Sequence, residues 1–208
     1  MAVFKCKMCG GALEIGENQS IAICEFCGTQ QTLPKFDDER KVTLFTRANH
    51  LRFNCEFDKA AGVYESIVTE FPDEAEAYWG LVLCKYGIEY VDDSTGKKIP
   101  TCHRTLPTSI MDDEDFSSAC DYADTTSKSI YRGEAKAIDK IQKKILEIAA
   151  TEKPYDIFIC YKETDEDTGA RTEDSSIAQD IYTELIKEGY KVFFSRVTLR
   201  EVAGTEYE

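Results

Sequence analysis

The sequence lacks any long apolar run, and its longest runs are far too short to cross a bilayer. It also lacks an apolar stretch after Met1-Ala2-Val3-Phe4-Lys5, so we expect neither a signal peptide nor a membrane partner. Of its nine cysteines, five show no pairing pattern: Cys55, Cys84, Cys102, Cys120 and Cys160. A reducing cytoplasm is therefore the expected location.

A surplus of basic residues is absent as well. The chain has 39 acidic and 25 basic side chains, which give a formal net charge of −14. The first 35 residues carry mixed charges: Lys5, Lys7 and Lys35 against Glu14, Glu17 and Glu25. A nucleic-acid surface needs clustered lysine and arginine to contact phosphates, so we expect no nucleic-acid partner.

What the sequence does contain is two Cys-x-x-Cys pairs, Cys6/Cys9 and Cys24/Cys27, each followed directly by glycine. Four thiolates at this spacing can close a tetrahedral zinc site, and such a site leaves no position for a substrate water. The pattern predicts a structural zinc ribbon over residues 1–34. Two disulfides or a redox pair are the alternatives, and neither suits a chain with five further cysteines and no leader.

Helical periodicity dominates residues 38–91. In the first predicted helix, Leu44, Ala48 and Leu51 lie on one face. Asp58 is predicted to cap the second helix, which ends at Pro72. Asp73 is predicted to cap the third. Their spacing resembles a tetratricopeptide (TPR) repeat, but an array needs about three repeats to be stable. We therefore expect a TPR-like helical hairpin. Whether it binds a protein partner is left open by the sequence.

Residues 92–151 divide into a polar, irregular stretch over 92–125 and a long connector helix over 126–151. The helix carries an expected stripe of Glu134, Ile138, Ile141, Ile145 and Ile148, with Asp139 placed to pair with Lys143. Two alternatives remain: the helix packs on its own chain, which we favour, or it joins copies as a short coiled coil.

A second metal site is a minor alternative within the irregular stretch. Cys102 and His103 are adjacent, and Cys120 follows seventeen residues after His103. These residue types are zinc ligands. Scattered core or surface positions are the favoured interpretation.

The pattern changes after Pro154. A continuous apolar run over 155–161 and a second over 190–194 predict strands that are buried on both faces. Between them, a helix capped by Asp174 or Ser175 and ended by Gly189 carries an expected stripe of Ile177, Ile181 and Leu185. This order predicts a right-handed, parallel β-α-β unit.

Residues 155–162, Tyr-Asp-Ile-Phe-Ile-Cys-Tyr-Lys, resemble the first sequence box of Toll/interleukin-1 receptor (TIR) domains, with Cys160 where serine is common. The helix over 174–188, the strand over 191–194 and the loop over 195–206 resemble the elements that follow, including the BB loop. The whole order is similar to a group of bacterial TIR proteins. The resemblance implies a multidomain α+β chain: a zinc ribbon, a TPR-like middle with a connector helix, and the first β-α-β portion of a flavodoxin-like parallel sheet over 154–208.

The resemblance also implies a function. Many bacterial and plant TIR domains cleave NAD at the nicotinamide–ribose bond, whereas many animal ones are adaptors that self-associate through the BB loop. The sheet edge at the carboxyl ends of the strands makes Tyr161, Lys162 and Ser195 the candidate NAD-binding residues.

The enzymes of this family use a glutamate on a helix after the third strand, and that segment is not among the 208 residues. Glu206 and Glu208 match the start of an earlier helix and are not expected to replace it. We therefore expect the TIR portion to be incomplete and the 208 residues alone to be inactive as an NADase. A receiver domain, another flavodoxin-like fold, would need paired acids where Cys160-Tyr161-Lys162 ends the first strand.

Overall fold

The computed structural model describes residues 4–16, 19–151, 153–165, 167–195 and 197–198. The chain forms two compact units, residues 1–147 and residues 148–208. Helices and small two-stranded sheets make up the described parts of the chain, which confirms the mixed α+β class. None of the described helices combines the length and the apolar character that crossing a membrane requires.

The first unit begins with two antiparallel hairpins. Their strands are β1 (Phe4–Lys5) with β2 (Ala12–Leu13), and β3 (Ile21–Ile23) with β4 (Gln30–Thr32). Each hairpin carries one cysteine pair in its turn. The strands have only two or three residues each, and the cysteine turn of each hairpin is longer than its strands.

Three helices follow: α1 (Glu39–Phe53), α2 (Phe57–Glu70) and α3 (Ala75–Lys85). The predicted caps of the last two are wrong, because α2 and α3 begin after Glu56 and Glu74 and have no side-chain cap. Asp58 and Asp73 form ion pairs instead, with Arg104 at 2.8 Å and with Lys35 at 3.0 Å. The two carboxylates that were predicted to cap helices therefore bind basic residues that are distant in the sequence.

A β-hairpin replaces the end of the predicted helical segment and the start of the irregular one. Strand β5 (Ile88–Asp92) pairs antiparallel with β6 (Lys98–Cys102). Gly87, which follows the C-cap of α3, has a φ of +59°. Glycine adopts positive φ at little cost, so the chain can leave the helix direction here. The Asp93 carboxylate accepts hydrogen bonds from the backbone of Thr95 and Lys97, which forms the turn predicted at 92–96.

The rest of the supposedly irregular stretch contains α4 (Glu114–Tyr122), which follows a short 3-10 turn (Ile110–Asp112). Asp113 caps α4 by accepting from the backbone of Asp115 and Phe116 at 3.0 and 3.2 Å. Its other oxygen lies 2.5 Å from the Lys85 ammonium at the end of α3. Asp113 thus starts one helix and ties it to another.

Helix α5 (Thr125–Thr151) is the predicted connector helix. Its buried residues are Ser127, Tyr131, Ala135, Ile138, Asp139 and Gln142. Of the predicted stripe, Ile138 is buried and Ile148 is exposed, so the stripe is rotated from the face that packs. The predicted pair is confirmed, with Asp139 and Lys143 2.6 Å apart. The Tyr131 ring lies 5.3 Å from that of Trp79, so this half of α5 packs on its own chain, as favoured.

The two cysteine hairpins and the helices share one hydrophobic core. It joins Phe4, Met8 and Leu13 of the hairpins to buried residues of the helical layer, which include Phe45, Tyr64, Ile67, Trp79, Leu83 and Tyr131. A ribbon alone would expose its inner face, because so short a segment cannot bury enough apolar surface. In this chain, the helices provide the surface that covers it.

The second unit has the predicted parallel β-α-β order. Strand β7 (Ile157–Ile159) pairs in parallel with β8 (Val192–Phe194), and α6 (Glu173–Lys187) connects them. The N-cap of α6 is Thr172, so the prediction of Asp174 or Ser175 is wrong by two residues or more. Gly189 ends the helix with φ of +89°, as predicted.

The burial pattern of the second unit departs from expectation. Phe158 in the middle of β7 is 66% exposed, so the prediction of strands buried on both faces is wrong for β7. Ile177 and Ile181 of the predicted stripe are exposed, whereas Ser175 and Ala178 of α6 are buried. A single helix covers only one face of two strands. Residues 196 and 199–208, with most of the BB-loop resemblance and Glu206 and Glu208, lie outside the described residues.

Candidate metal centre

Two backbone turns of the same design hold the four cysteines. In the first, Cys6 N–H donates to Gly11 C=O at 2.7 Å, and Gly10 N–H donates back to Cys6 C=O at 2.9 Å. The second turn repeats both bonds, from Cys24 to Thr29 at 3.0 Å and from Gly28 to Cys24 at 2.8 Å. Gly10 and Gly28 both have positive φ, at +74° and +67°, which explains why glycine follows each pair.

The four sulfurs converge on one point. Cys6 Sγ lies 3.8 Å from Cys27 Sγ, and Cys9 Sγ lies 3.6 Å from Cys24 Sγ. All four lie within 4.8 Å of one another. With zinc–sulfur bonds of about 2.3 Å, a tetrahedral site separates its sulfurs by about 3.8 Å, so the donor set fits Zn²⁺. All four cysteines are free, which excludes the disulfide alternative.

The thiols differ in how readily they ionise. Burial, together with hydrogen bonds to the other three thiols, raises the pKa of Cys9 to about 12, although a backbone hydrogen bond at Gly11 opposes them. Burial also opposes ionisation of Cys27, but hydrogen bonds from Thr29 and neighbouring thiols outweigh it and lower its pKa to about 7. The Thr29 hydroxyl lies 3.4 Å from Cys27 Sγ. A bound metal would need the four thiols as thiolates and would therefore displace their protons.

Lys7, between the first two ligands, connects the metal turn to the helices. Its ammonium is buried and lies 2.7 Å from both Glu76 Oε1 and Thr32 Oγ1. The other Glu76 oxygen accepts from Thr32 at 2.5 Å and from the Tyr131 hydroxyl at 2.8 Å. We call these four residues, Lys7, Thr32, Glu76 and Tyr131, the lysine network.

The backbone of Lys7 is fixed as well. Its N–H donates to Gln31 Oε1 at 3.0 Å, and its C=O accepts from Arg52 Nη2 at 2.5 Å. Arg52 also donates to the Ile88 carbonyl at 3.2 Å. Sequence reasoning counted Lys7 only as a surface charge. Its position inside Cys-x-x-Cys carries no signal of a buried partner, because that partner, Glu76, comes from a helix distant in the sequence.

The alternative second metal set is not brought together. Among the described residues, the metal-ligating group that contains His103 includes neither Cys102 nor Cys120. His103 Nε2 lies 2.6 Å from Glu89 Oε2 and 3.9 Å from Cys55 Sγ. Cys102 is the last residue of β6 and Cys120 lies in α4, and neither joins the group that contains His103.

The predicted NAD-binding residues lie where the strands of the second unit end. Tyr161 follows β7 by two residues, and its ring lies 5.3 Å from that of Phe194, the last residue of β8. Ser195 follows directly, and the Lys162 carbonyl accepts from the Thr172 hydroxyl. The Tyr161 hydroxyl is buried and has no hydrogen-bond partner in the part of the chain that the structure describes.

Comparisons of the chain with protein-family models, curated proteins and solved structures gave no match. The sulfur geometry therefore carries the case for the metal centre by itself.

Proposed function

We propose that this chain is part of a TIR-type signalling or defence protein, in which residues from 154 onward form the TIR-like module and the metal-clipped first unit is a scaffold or sensor. The observation that carries the proposal is the parallel pairing of β7 with β8 across α6. Parallel strands joined by a helix are the unit from which parallel α/β sheets are built, and the flavodoxin type that the resemblance at residues 155–162 implies is one of these.

NAD is the proposed ligand of this module, at the edge where the strands end. Tyr161 supplies an aromatic face and a hydroxyl without a partner among the described residues. Ser195 supplies a second hydroxyl, and Lys162 supplies a cation for the pyrophosphate. Cleavage at the nicotinamide–ribose bond needs a carboxylate that stabilises the developing positive charge. We assign that carboxylate to a helix after a third strand, and the three residues named here to binding.

A second candidate function is supported by exposed apolar surface. Phe158 is 66% exposed, and Ile177 and Ile181 are exposed on α6. Exposed apolar groups mark association surfaces in soluble proteins. A non-enzymatic adaptor that acts by association between TIR-like modules would use them.

Titration of NAD into the purified chain, followed by calorimetry or ligand-observed NMR, tests the first proposal. Tyr161→Phe and Ser195→Ala should each weaken NAD binding by about fivefold, the equivalent of one lost hydrogen bond. Tyr190→Phe is the matched control, because Tyr190 is an exposed tyrosine that precedes β8 instead of following it. NAD binding that is absent, or that is equal in all variants, would overturn the assignment.

Two further readouts separate the candidates. Nicotinamide release by these 208 residues would contradict our placement of the carboxylate after a third strand. Light scattering on the Phe158→Ser variant tests the adaptor hypothesis. If the hypothesis is correct, this variant loses self-association and its NAD binding does not change. A monomeric parent chain would contradict the adaptor.

A further inference from the structure

Three chemically different ligating side chains meet away from the four-cysteine centre. Cys55 lies between α1 and α2, Glu89 lies on β5, and His103 follows β6. One ligating atom of each lies within 4.8 Å of those of the other two. The thiol, carboxylate and imidazole are not neighbours in sequence, so the fold brings them together.

The hairpin and the helix pair fix two sides of this cluster. His103 N–H donates to the Gly87 carbonyl at 2.8 Å, which extends the pairing of β5 with β6 and places His103 beside Glu89. The His103 ring also packs against the Phe57 ring, with centroids 5.4 Å apart. Phe57 is the first residue of α2 and is buried, so the imidazole has a rigid support.

Cys55 has an unusual backbone. With φ of +59°, it is the one non-glycine residue with positive φ in the part of the chain that the structure describes. Its N–H donates to the Arg52 carbonyl at 2.9 Å, and the next N–H donates to Leu51 at 2.9 Å, which holds the conformation. This region is unfavourable for a residue with a Cβ, and glycine or asparagine adopts it more easily. Strain of this kind concentrates at functional positions.

The distances are close to those of a metal site. Tetrahedral zinc separates an imidazole nitrogen from a carboxylate oxygen by about 3.3 Å and from a thiolate sulfur by about 3.6 Å. Here, His103 Nε2 lies 2.6 Å from Glu89 Oε2 and 3.9 Å from Cys55 Sγ. A metal would open the first distance by about 0.7 Å and close the second by about 0.3 Å, which side-chain rotation can supply.

We propose that Cys55, Glu89 and His103 form a second binding site for a divalent transition metal, such as Zn²⁺, with three protein ligands and one water. Imidazole, thiolate and carboxylate together are a donor set that suits zinc and cobalt. The Glu89 and His103 side chains are 41% and 45% exposed, so solvent reaches the fourth position. This site differs from the closed four-sulfur centre, because a water can be exchanged there. It does not depend on the proposed TIR function.

The competing explanation of this cluster is that His103 and Glu89 form an ion pair and that the Cys55 thiol lies nearby by chance. Metal stoichiometry distinguishes the two. The chain is loaded with excess Zn²⁺, passed through a desalting column and weighed by native mass spectrometry. We expect two zinc ions per chain for the parent, and one for Cys55→Ser, Glu89→Gln and His103→Gln. A chelator of moderate strength should remove this zinc first and leave the four-cysteine zinc in place.

Matched controls exist for two ligands. His50→Gln removes the other histidine, and Cys102→Ser removes the cysteine next to His103; both variants should keep two zinc ions. Buried Trp79 reports folding in every variant through its fluorescence. A second measurement does not depend on variants. The second equivalent of Co²⁺ added to the parent chain should give a charge-transfer band of one thiolate, weaker than that of the first. One metal per parent chain, or a second metal that all three substitutions retain, would overturn the proposal.

Discussion

The two units bury apolar residues to very different extents. The first encloses Trp79, Tyr64, Tyr131, Phe45 and Ile138, each almost completely. In the second, the buried apolar residues among those described are Ala178, Val192 and Phe194, while large apolar side chains lie exposed: Ile148, Tyr155, Phe158, Ile177, Ile181, Ile186 and Tyr190.

The difference shows what a core requires beyond apolar composition. The first unit has several layers, so most of its large apolar side chains meet another layer, and the four cysteines that could hold a metal lie in the smallest layer. The second has one helix on two strands, and apolar strands of a parallel sheet need a cover on both faces. The exposed Phe158 in β7 therefore marks a part of the sheet on which another element or another chain would pack.

Metal removal should have the largest effect on stability, and this effect should be confined to the first unit. A structural zinc contributes on the order of 10 kcal/mol to folding in small zinc domains. Strong chelation, or Cys24→Ser, should shift the fluorescence of Trp79, the sole tryptophan, towards longer wavelength. Amide exchange in α3 should rise, while exchange in α6 stays unchanged. Cys160→Ser, at an exposed cysteine of the second unit, is the control. An equal rise in α6 would show that the units are not independent.

Glu134 provides a test of whether the buried polar groups of the first unit all have hydrogen-bond partners. Burial raises the pKa of Glu134, and this effect outweighs the lowering by Lys7, which is partly offset by the negative charge of Glu76. The Oε2 atom of Glu134 is buried without a hydrogen-bond partner among the described residues. A raised folded-state pKa means that its contribution to stability is complete below the unfolded pKa and is lost as pH rises through the folded one.

Glu134→Gln should therefore stabilise the protein increasingly as pH rises above 4.5, the ordinary pKa of glutamate. The gain should reach about 1–3 kcal/mol once the carboxyl group is ionised in the folded chain. Urea unfolding of the zinc-loaded chain, followed by circular dichroism, measures the difference from the parent. Glu147→Gln, on an exposed part of the same helix, should give the same small offset at every pH. A difference that stays flat or shrinks with pH would contradict the burial of a Glu134 carboxyl group with a raised pKa.

The smallest effect is expected on the exposed face of α6. Ile181→Ser should change the free energy of unfolding by no more than about 0.5 kcal/mol, because isoleucine and serine have similar helix propensities and the site is exposed. Ala178→Leu, three residues earlier on the buried face, should cost about 1–3 kcal/mol through overpacking. Equal costs in thermal melts would show that the Ile181 face is covered in solution.

Local chemistry explains what the sequence could predict. The two Cys-x-x-Cys-Gly segments make the same turn, so the convergence of the four cysteines could be predicted from spacing. Gly189 ended α6 and the aspartates of 92–96 formed a turn for similar reasons. These features depend on residues only a few positions apart.

Long-range pairing explains the failures. Asp73 was predicted to cap a helix, but it forms an ion pair with Lys35. The carboxylate of Glu74 lies 2.9 Å from Lys41, and both side chains are buried. The run from Ile88 to Val91 fits a helix or a strand by composition, and only its partner β6 decides between them. Cys55, Glu89 and His103 come from three separate elements, so no spacing rule would have grouped them.

The lysine network also limits how this protein can be rebuilt or can evolve. A ribbon transplanted from another protein would have to carry a lysine at the position of Lys7, or Glu76 would remain charged and unmatched beneath it. Conversely, this ribbon moved to a foreign host would bring a lysine that has lost its carboxylate partner. The metal-binding turn and the helices on which it rests are therefore expected to be inherited together, as one transferable piece, and not as interchangeable modules.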